Sequence, residues 1–115
     1  MTVCGRFAPT PSGRIHLGNI LCAMLSWLSV RSKNGRYLLR IEDLDAMRCP
    51  RSLADLIEDD LKWFGIDWDD GGSAGGDAWY QSCRTAIYDR YFDVLKDKGL
   101  LYPCFCSRAE LHTAQ

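Results

Sequence analysis

The chain has 115 residues and a formal net charge of −1, enough length for one domain with a modest core. It lacks the basic excess of a dedicated nucleic-acid binder and has no apolar run long enough to span a membrane. Its opening, Met1-Thr2-Val3-Cys4-Gly5-Arg6, has neither the basic region nor the apolar core of a secretion signal, so the expected compartment is the cytosol and the six cysteines are expected to be reduced.

Residues 3–8 predict a short strand. Pro9 and Pro11, in the run Pro9-Thr10-Pro11-Ser12-Gly13, cannot continue it because proline has no amide hydrogen to donate. A loop follows to His16. Over residues 17–32 the apolar side chains Ile20, Leu21, Met24, Leu25, Trp27, Leu28 and Val30 fall on nearly every face, which predicts a buried helix ended by Asn34-Gly35. Tyr37-Leu38-Leu39-Arg40-Ile41 reads as a central strand. Strand, helix and strand at this spacing predict a right-handed crossover in a parallel sheet.

Leu53, Leu56, Ile57, Leu61 and Phe64 then repeat at helical spacing, with Pro50 in the first turn and Gly65 at the end. Residues 69–78, rich in Asp and Gly, predict a loop. Ser82 is expected to cap a third helix with Ile87, Tyr88, Tyr91 and Leu95 on one face and Gly99 at its end. The fold class is α/β, a parallel sheet with flanking helices. With no obvious closing element after Cys106, the chain reads as a piece of a larger domain.

Three groups of residues could carry chemistry. The first runs Arg6-Phe7-Ala8-Pro9-Thr10-Pro11-Ser12-Gly13-Arg14-Ile15-His16-Leu17-Gly18-Asn19. It joins a strand end to a helix start, where parallel sheets bind ligands and free amides attract anions. Gly18 would let a planar group approach the backbone, and His16 and Asn19 could donate to a phosphate, which suits a nucleoside triphosphate. The plainer alternative is a proline-rich loop with His16 an incidental surface residue. The second group is Arg40-Ile41-Glu42-Asp43-Leu44-Asp45. Three carboxylates at a strand end need balancing cations: a substrate ammonium, magnesium, or Arg40 and Arg48. A solvated acidic turn tied to those arginines is the alternative. The third is Cys104-Phe105-Cys106, two thiols that share one side of an extended segment and could form half of a tetrahedral zinc site, or be ordinary thiols.

Gly5 to Gly13, followed by His16-Leu17-Gly18-Asn19, resembles the opening of the glutamyl-tRNA synthetase family, with His16 to Asn19 matching its form of the class I nucleotide-binding signature. Asn19 stands where that signature usually ends in histidine. Arg40-Ile41-Glu42-Asp43, Tyr80-Gln81-Ser82 with Arg84, and the tract from Gly99 to Leu111 extend the resemblance over nearly the whole chain. It implies the N-terminal half of a Rossmann-like class I catalytic domain spanning residues 1–115, with a zinc-binding insertion beginning near residue 102. It further implies that Pro9, His16, Gly18 and Asn19 hold ATP with Mg2+, His16 and Asn19 acting in catalysis.

By the same resemblance Arg6, Phe7, Ala8, Pro9, Thr10 and Glu42 form the glutamate pocket. Arg6 would take the side-chain carboxylate in a two-pronged pair, and Glu42 the ammonium group. Cys104 and Cys106 would bind zinc with partners further on; His112 is the nearby candidate and a weak one. Glu42-Asp43-Leu44-Asp45 and Pro9-Thr10-Pro11-Ser12-Gly13 depart from the usual glutamyl-tRNA synthetase wording and resemble the glutamyl-Q tRNA(Asp) synthetase branch, which transfers glutamate to queuosine of the aspartate tRNA. The implied protein is a monomer with glutamate, ATP and tRNA as partners and no membrane association.

The second class I signature, a lysine-bearing loop, is absent, as are the downstream tyrosine and arginine of the glutamate pocket. The chain alone is therefore expected not to activate glutamate at a useful rate. Alternatives are a full glutamyl-tRNA synthetase, a small nucleotidyltransferase using the same His-x-Gly element, and an inactive truncated nucleotide-binding module.

Overall fold

A computed structural model describes residues 3–107, 109 and 110. Three parallel strands, β1 (Cys4–Phe7), β2 (Arg36–Leu39) and β3 (Asp70–Gly71), lie side by side in that order. Helix α1 (Leu17–Arg31) connects β1 to β2, and α2 (Arg51–Trp63) connects β2 to β3. Cys4 pairs with Arg36 and Phe7 with Leu39, while Leu38 pairs with Asp70. Beyond its last strand residue the chain continues in register. The Arg40 amide donates to the Phe7 carbonyl at 3.0 Å, the Glu42 amide to Pro9 at 2.9 Å, and Ile41 bridges to Tyr80.

The chain divides into two compact units, residues 1–85 and 86–115. In the first, Tyr37, Leu39 and Ile41 from one sheet face pack with Ile20, Ala23 and Val30 of α1 and with Ala54, Ile57 and Leu61 of α2. Side chains alternate across a strand, so Arg36, Leu38 and Arg40 occupy the other face, as Arg6 does on β1. Both helices thus cover one side of the sheet. The second unit contains α3 (Thr85–Asp97) from its second residue onward.

Three expectations need correction. Helix α1 is not buried all round: Ile20, Ala23 and Val30 face the core, whereas Leu17, Leu21, Met24, Leu25 and Leu28 are exposed. One sheet face can cover only one stripe of a helix. The Asp- and Gly-rich loop contains β3, whose Gly71 has φ +98° and lies so close to β2 that a Cβ there would sit 1.9 Å from the Leu39 carbonyl oxygen. Ser82 does not cap α3. It lies in a 3-10 turn, Gln81–Arg84, and its hydroxyl donates to Asp43. All six cysteines are free, and no described helix is long and apolar enough to cross a membrane.

Candidate functional site

The proline-rich loop is held from two sides. Asp60 on α2 pairs with the Arg14 guanidinium and accepts the Ile15 amide at 3.2 Å. The Pro9 carbonyl accepts the Glu42 amide, and Pro9 and Pro11 are buried. The loop delivers His16 as the N-cap of α1, with extended backbone angles of φ −89° and ψ 162°. Its carbonyl accepts the Asn19 and Ile20 amides at 3.0 and 3.1 Å, and Nδ1 accepts the Asn19 amide at 3.4 Å. With Nδ1 serving as acceptor, the neutral imidazole carries its hydrogen on Nε2, where it is a donor to an incoming group.

These elements enclose a cleft of about 280 Å3 lined by Phe7, Ala8, Pro9, Thr10, His16 and Asn19, among others. It lies at the carboxyl end of β1 and the amino end of α1, where the helix dipole and the first amides favour an anion. Ligand pockets start near roughly 300 Å3, so this cleft has room for part of a nucleotide. Gly18 does not line it. It borders an apolar groove with Leu17, Ile20, Leu21, Met24 and Phe64, and a Cβ at Gly18 would sit 3.4 Å from the His16 ring.

Neither Arg6 nor Glu42 lines the His16 cleft, although the Glu42 amide donates to Pro9 at its wall. Arg6, on the sheet face away from the helices, borders a second cavity with Arg40 and Arg84. Glu42 forms an ion pair with Arg40, so it is linked to the Arg6 cavity through that guanidinium. Each carboxylate of the acidic turn has its own partner. Asp43 is 4% exposed and accepts the Ser82 amide at 2.9 Å and the Ser82 hydroxyl at 2.7 Å. Asp45 accepts the Arg48 amide at 3.2 Å. The charge crowding expected from sequence is relieved inside the protein, with Arg40 as the counter-ion of Glu42 and the Arg48 backbone, not its guanidinium, serving Asp45.

Cys104 and Cys106 are exposed thiols, and His112 lies outside the described residues. Among the described residues no three His, Cys, Asp or Glu side chains converge, so two thiols fall short of a zinc site with its four ligands.

Two positions that spacing did not single out, Asp60 and Arg84, shape the site together with Asp43, which the sequence marks only as one of three crowded carboxylates. Asp60 fixes the loop from a helix and Asp43 fixes the 80–84 turn. Arg84 enters the second cavity from that turn. Asp43 and Ser82 are 39 positions apart, which no local pattern connects. Arg84 was visible only as a member of the Tyr80-to-Arg84 resemblance.

The family model for tRNA synthetases class I (E and Q), catalytic domain, matches residues 2–115. Among curated relatives, a glutamyl-Q tRNA(Asp) synthetase of Symbiobacterium thermophilum is 50% identical over 95% of the chain and 34% of its own length. A glutamate–tRNA ligase of Alkalilimnicola ehrlichii is 46% identical over 96% of the chain and 24% of its own. Among solved structures, a glutamate tRNA ligase from Elizabethkingia meningosepticum, in complex with its amino acid, superposes with a TM-score of 0.79. It is 34% identical, and the match covers 99% of this chain and 23% of that one. The chain therefore spans about a third or less of the relatives' length.

Proposed function

This chain belongs to the catalytic-domain family of class I tRNA synthetases for glutamate and glutamine, and on that premise we propose that it forms the first part of a site that joins glutamate to ATP. The observation that carries the reading is the cleft in which residues 7–10, from the end of β1, meet His16 and Asn19 at the start of α1. Phosphate oxygens would lie against the α1 amides and His16 Nε2, in the place where the helix start is electropositive.

Arg6 would take the side-chain carboxylate of glutamate from the next cavity, and Glu42 its ammonium group. Binding the ammonium requires Glu42 to share or exchange its present partner Arg40. The α-carboxylate, fixed between two charged anchors, is then positioned to attack the α-phosphate of ATP. The new C–O–P bond makes glutamyl-adenylate and pyrophosphate leaves. Magnesium, when bound with ATP, neutralises phosphate charge. The chain's own contribution is to position and to donate hydrogen bonds, because no side chain here serves as a nucleophile. Transfer of the glutamyl group to tRNA would follow in the cytosol. Queuosine of the aspartate tRNA is the favoured acceptor, on the wording of residues 9–13 and 42–45 and the 50% identity to a glutamyl-Q relative. Charging of the glutamate tRNA is the second reading, favoured by the 46% identity to a ligase.

The test is glutamate-dependent exchange of pyrophosphate into ATP, in an enzyme carrying this chain as the first part of its catalytic domain. Arg6→Ala is expected to cost about 3–5 kcal/mol in transition-state stabilisation, as for a charge left without its partner. Unchanged exchange kinetics in that variant would exclude the pocket.

A further inference from the structure

Arg14 is the only residue lining the His16 cleft that carries a permanent charge, and no carboxylate lines it. A helix start offers an anion about half an elementary charge. The His16 imidazole adds one N–H. A phosphate chain carries several negative charges, so these groups leave much of it to be balanced by a bound cation or by another side chain. Arg14 is the side chain in place to do so.

Asp60 determines where that guanidinium sits. One carboxylate oxygen pairs with Arg14 Nη1, and the other accepts the Ile15 amide at 3.2 Å. Ile15 in turn packs against the core of the first unit. Over residues 12–15 the only other hydrogen bond among the described residues is local, from the Ser12 amide to the Thr10 carbonyl at 2.9 Å. A single carboxylate on α2 therefore fixes both the loop and the charged side chain that the loop carries. The Asp60 side chain is 16% exposed and that of Arg14 67%. Beyond Asp60, the Arg14 guanidinium has no acceptor among the described residues. Asp60 itself does not line the cleft, so an anion inside it meets the guanidinium and not the carboxylate.

We propose that Arg14, held in place by Asp60, is a further binding residue for the phosphate chain of the nucleotide, a role that rests on the function proposed above. Charge-assisted bonds from a guanidinium to phosphate oxygens are stronger than neutral ones and form in parallel. Because Asp60 already restrains the Arg14 side chain, less rotamer freedom is lost when the ligand arrives. Asp60 is in this sense a positioning residue, acting through Arg14.

The experiment titrates ATP into the chain and into its Arg14→Gln and Arg14→Lys variants, at low and at high salt. The backbone amide shifts of His16 and Asn19 give the dissociation constants. Arg14→Gln keeps an N–H for Asp60 and removes the charge, whereas Arg14→Lys keeps the charge and loses the planar fork. Arg14 is exposed, so neither substitution opens the core. The expected result is an ATP affinity weakened by about tenfold or more in Arg14→Gln at low salt. The loss should shrink at high salt, where ions screen an exposed charge, and Arg14→Lys should recover part of it. Equal affinity in Arg14→Gln overturns the proposal. An equal loss in both variants that salt does not change also overturns it, because that pattern marks a disturbed loop and not a lost charge. If ATP moves His16 and Asn19 while Arg14→Gln binds it as tightly as the unsubstituted chain, only the role of Arg14 fails. If ATP moves neither amide in the unsubstituted chain, the proposed function fails with it.

Discussion

Asp43 shows how one buried carboxylate organises residues distant in sequence. It sits directly after Glu42, and its two oxygens take the amide and hydroxyl of Ser82. That pairing ties the turn carrying Arg84 to the end of β2. Asp43→Ala leaves two donors without acceptors in a site that excludes water, so it should destabilise the first unit by about 1–3 kcal/mol. Asp43→Asn keeps one acceptor oxygen and should cost less. Urea denaturation of the two variants decides it, and an unshifted midpoint for the alanine variant would show that the pairing carries no stability. His16 is the other residue with a double task. It caps α1 through its carbonyl and Nδ1 while its Nε2 remains available to the cleft.

At the scale of elements, α1 is pinned to the strands by an acidic clamp. Asp69 accepts the Tyr37 amide at 2.6 Å and pairs with Arg31 at 2.7 Å, while Asp67 accepts the Trp27 indole N–H at 2.7 Å and pairs with Arg31 at 2.9 Å. The Tyr37 amide, and then Arg31, hold the Asp69 carboxyl below the usual carboxylate range; the Trp27 indole, and then Arg31, do the same for Asp67. Because the folded values are depressed, the clamp contributes its full stability above the unfolded value of about 4. It loses that stability as pH falls through the lower folded values. Stability measured by urea should therefore decline below about pH 4, and Asp69→Asn should make that decline shallower. An identical acid profile in the variant would show that Asp69 does not contribute.

The same scale shows what sequence could and could not reveal. The spacing of Leu53, Ile57 and Leu61 marks α2 correctly because one apolar stripe repeats at the helical period and meets the sheet. Helix α1 misleads because its apolar residues surround the axis, and periodicity cannot say that the sheet covers only Ile20, Ala23 and Val30. Strand β3 is hidden in two residues, one of them a glycine chosen for close approach to Leu39. Ser82 has the chemistry of a cap, but its acceptor Asp43 comes from another part of the chain.

For the molecule as a whole, the sequence motifs mark strand ends and helix starts, and the structure distributes them over two cavities. His16, Asn19 and residues 7–10 share one; Arg6, Arg40 and Arg84 share the other. The alternation of side chains across β1 produces this division, since Phe7 and Arg6 must point to opposite sheet faces.

The nucleotide half can be tested directly by titrating ATP into the chain and recording backbone amide shifts residue by residue. The largest changes are expected to cluster at residues 8–10 and 16–19 and to diminish in His16→Ala. Changes confined to the separate pocket beside β3 lined by Trp68, Asp69 and Trp79, or no saturable change anywhere, would contradict it.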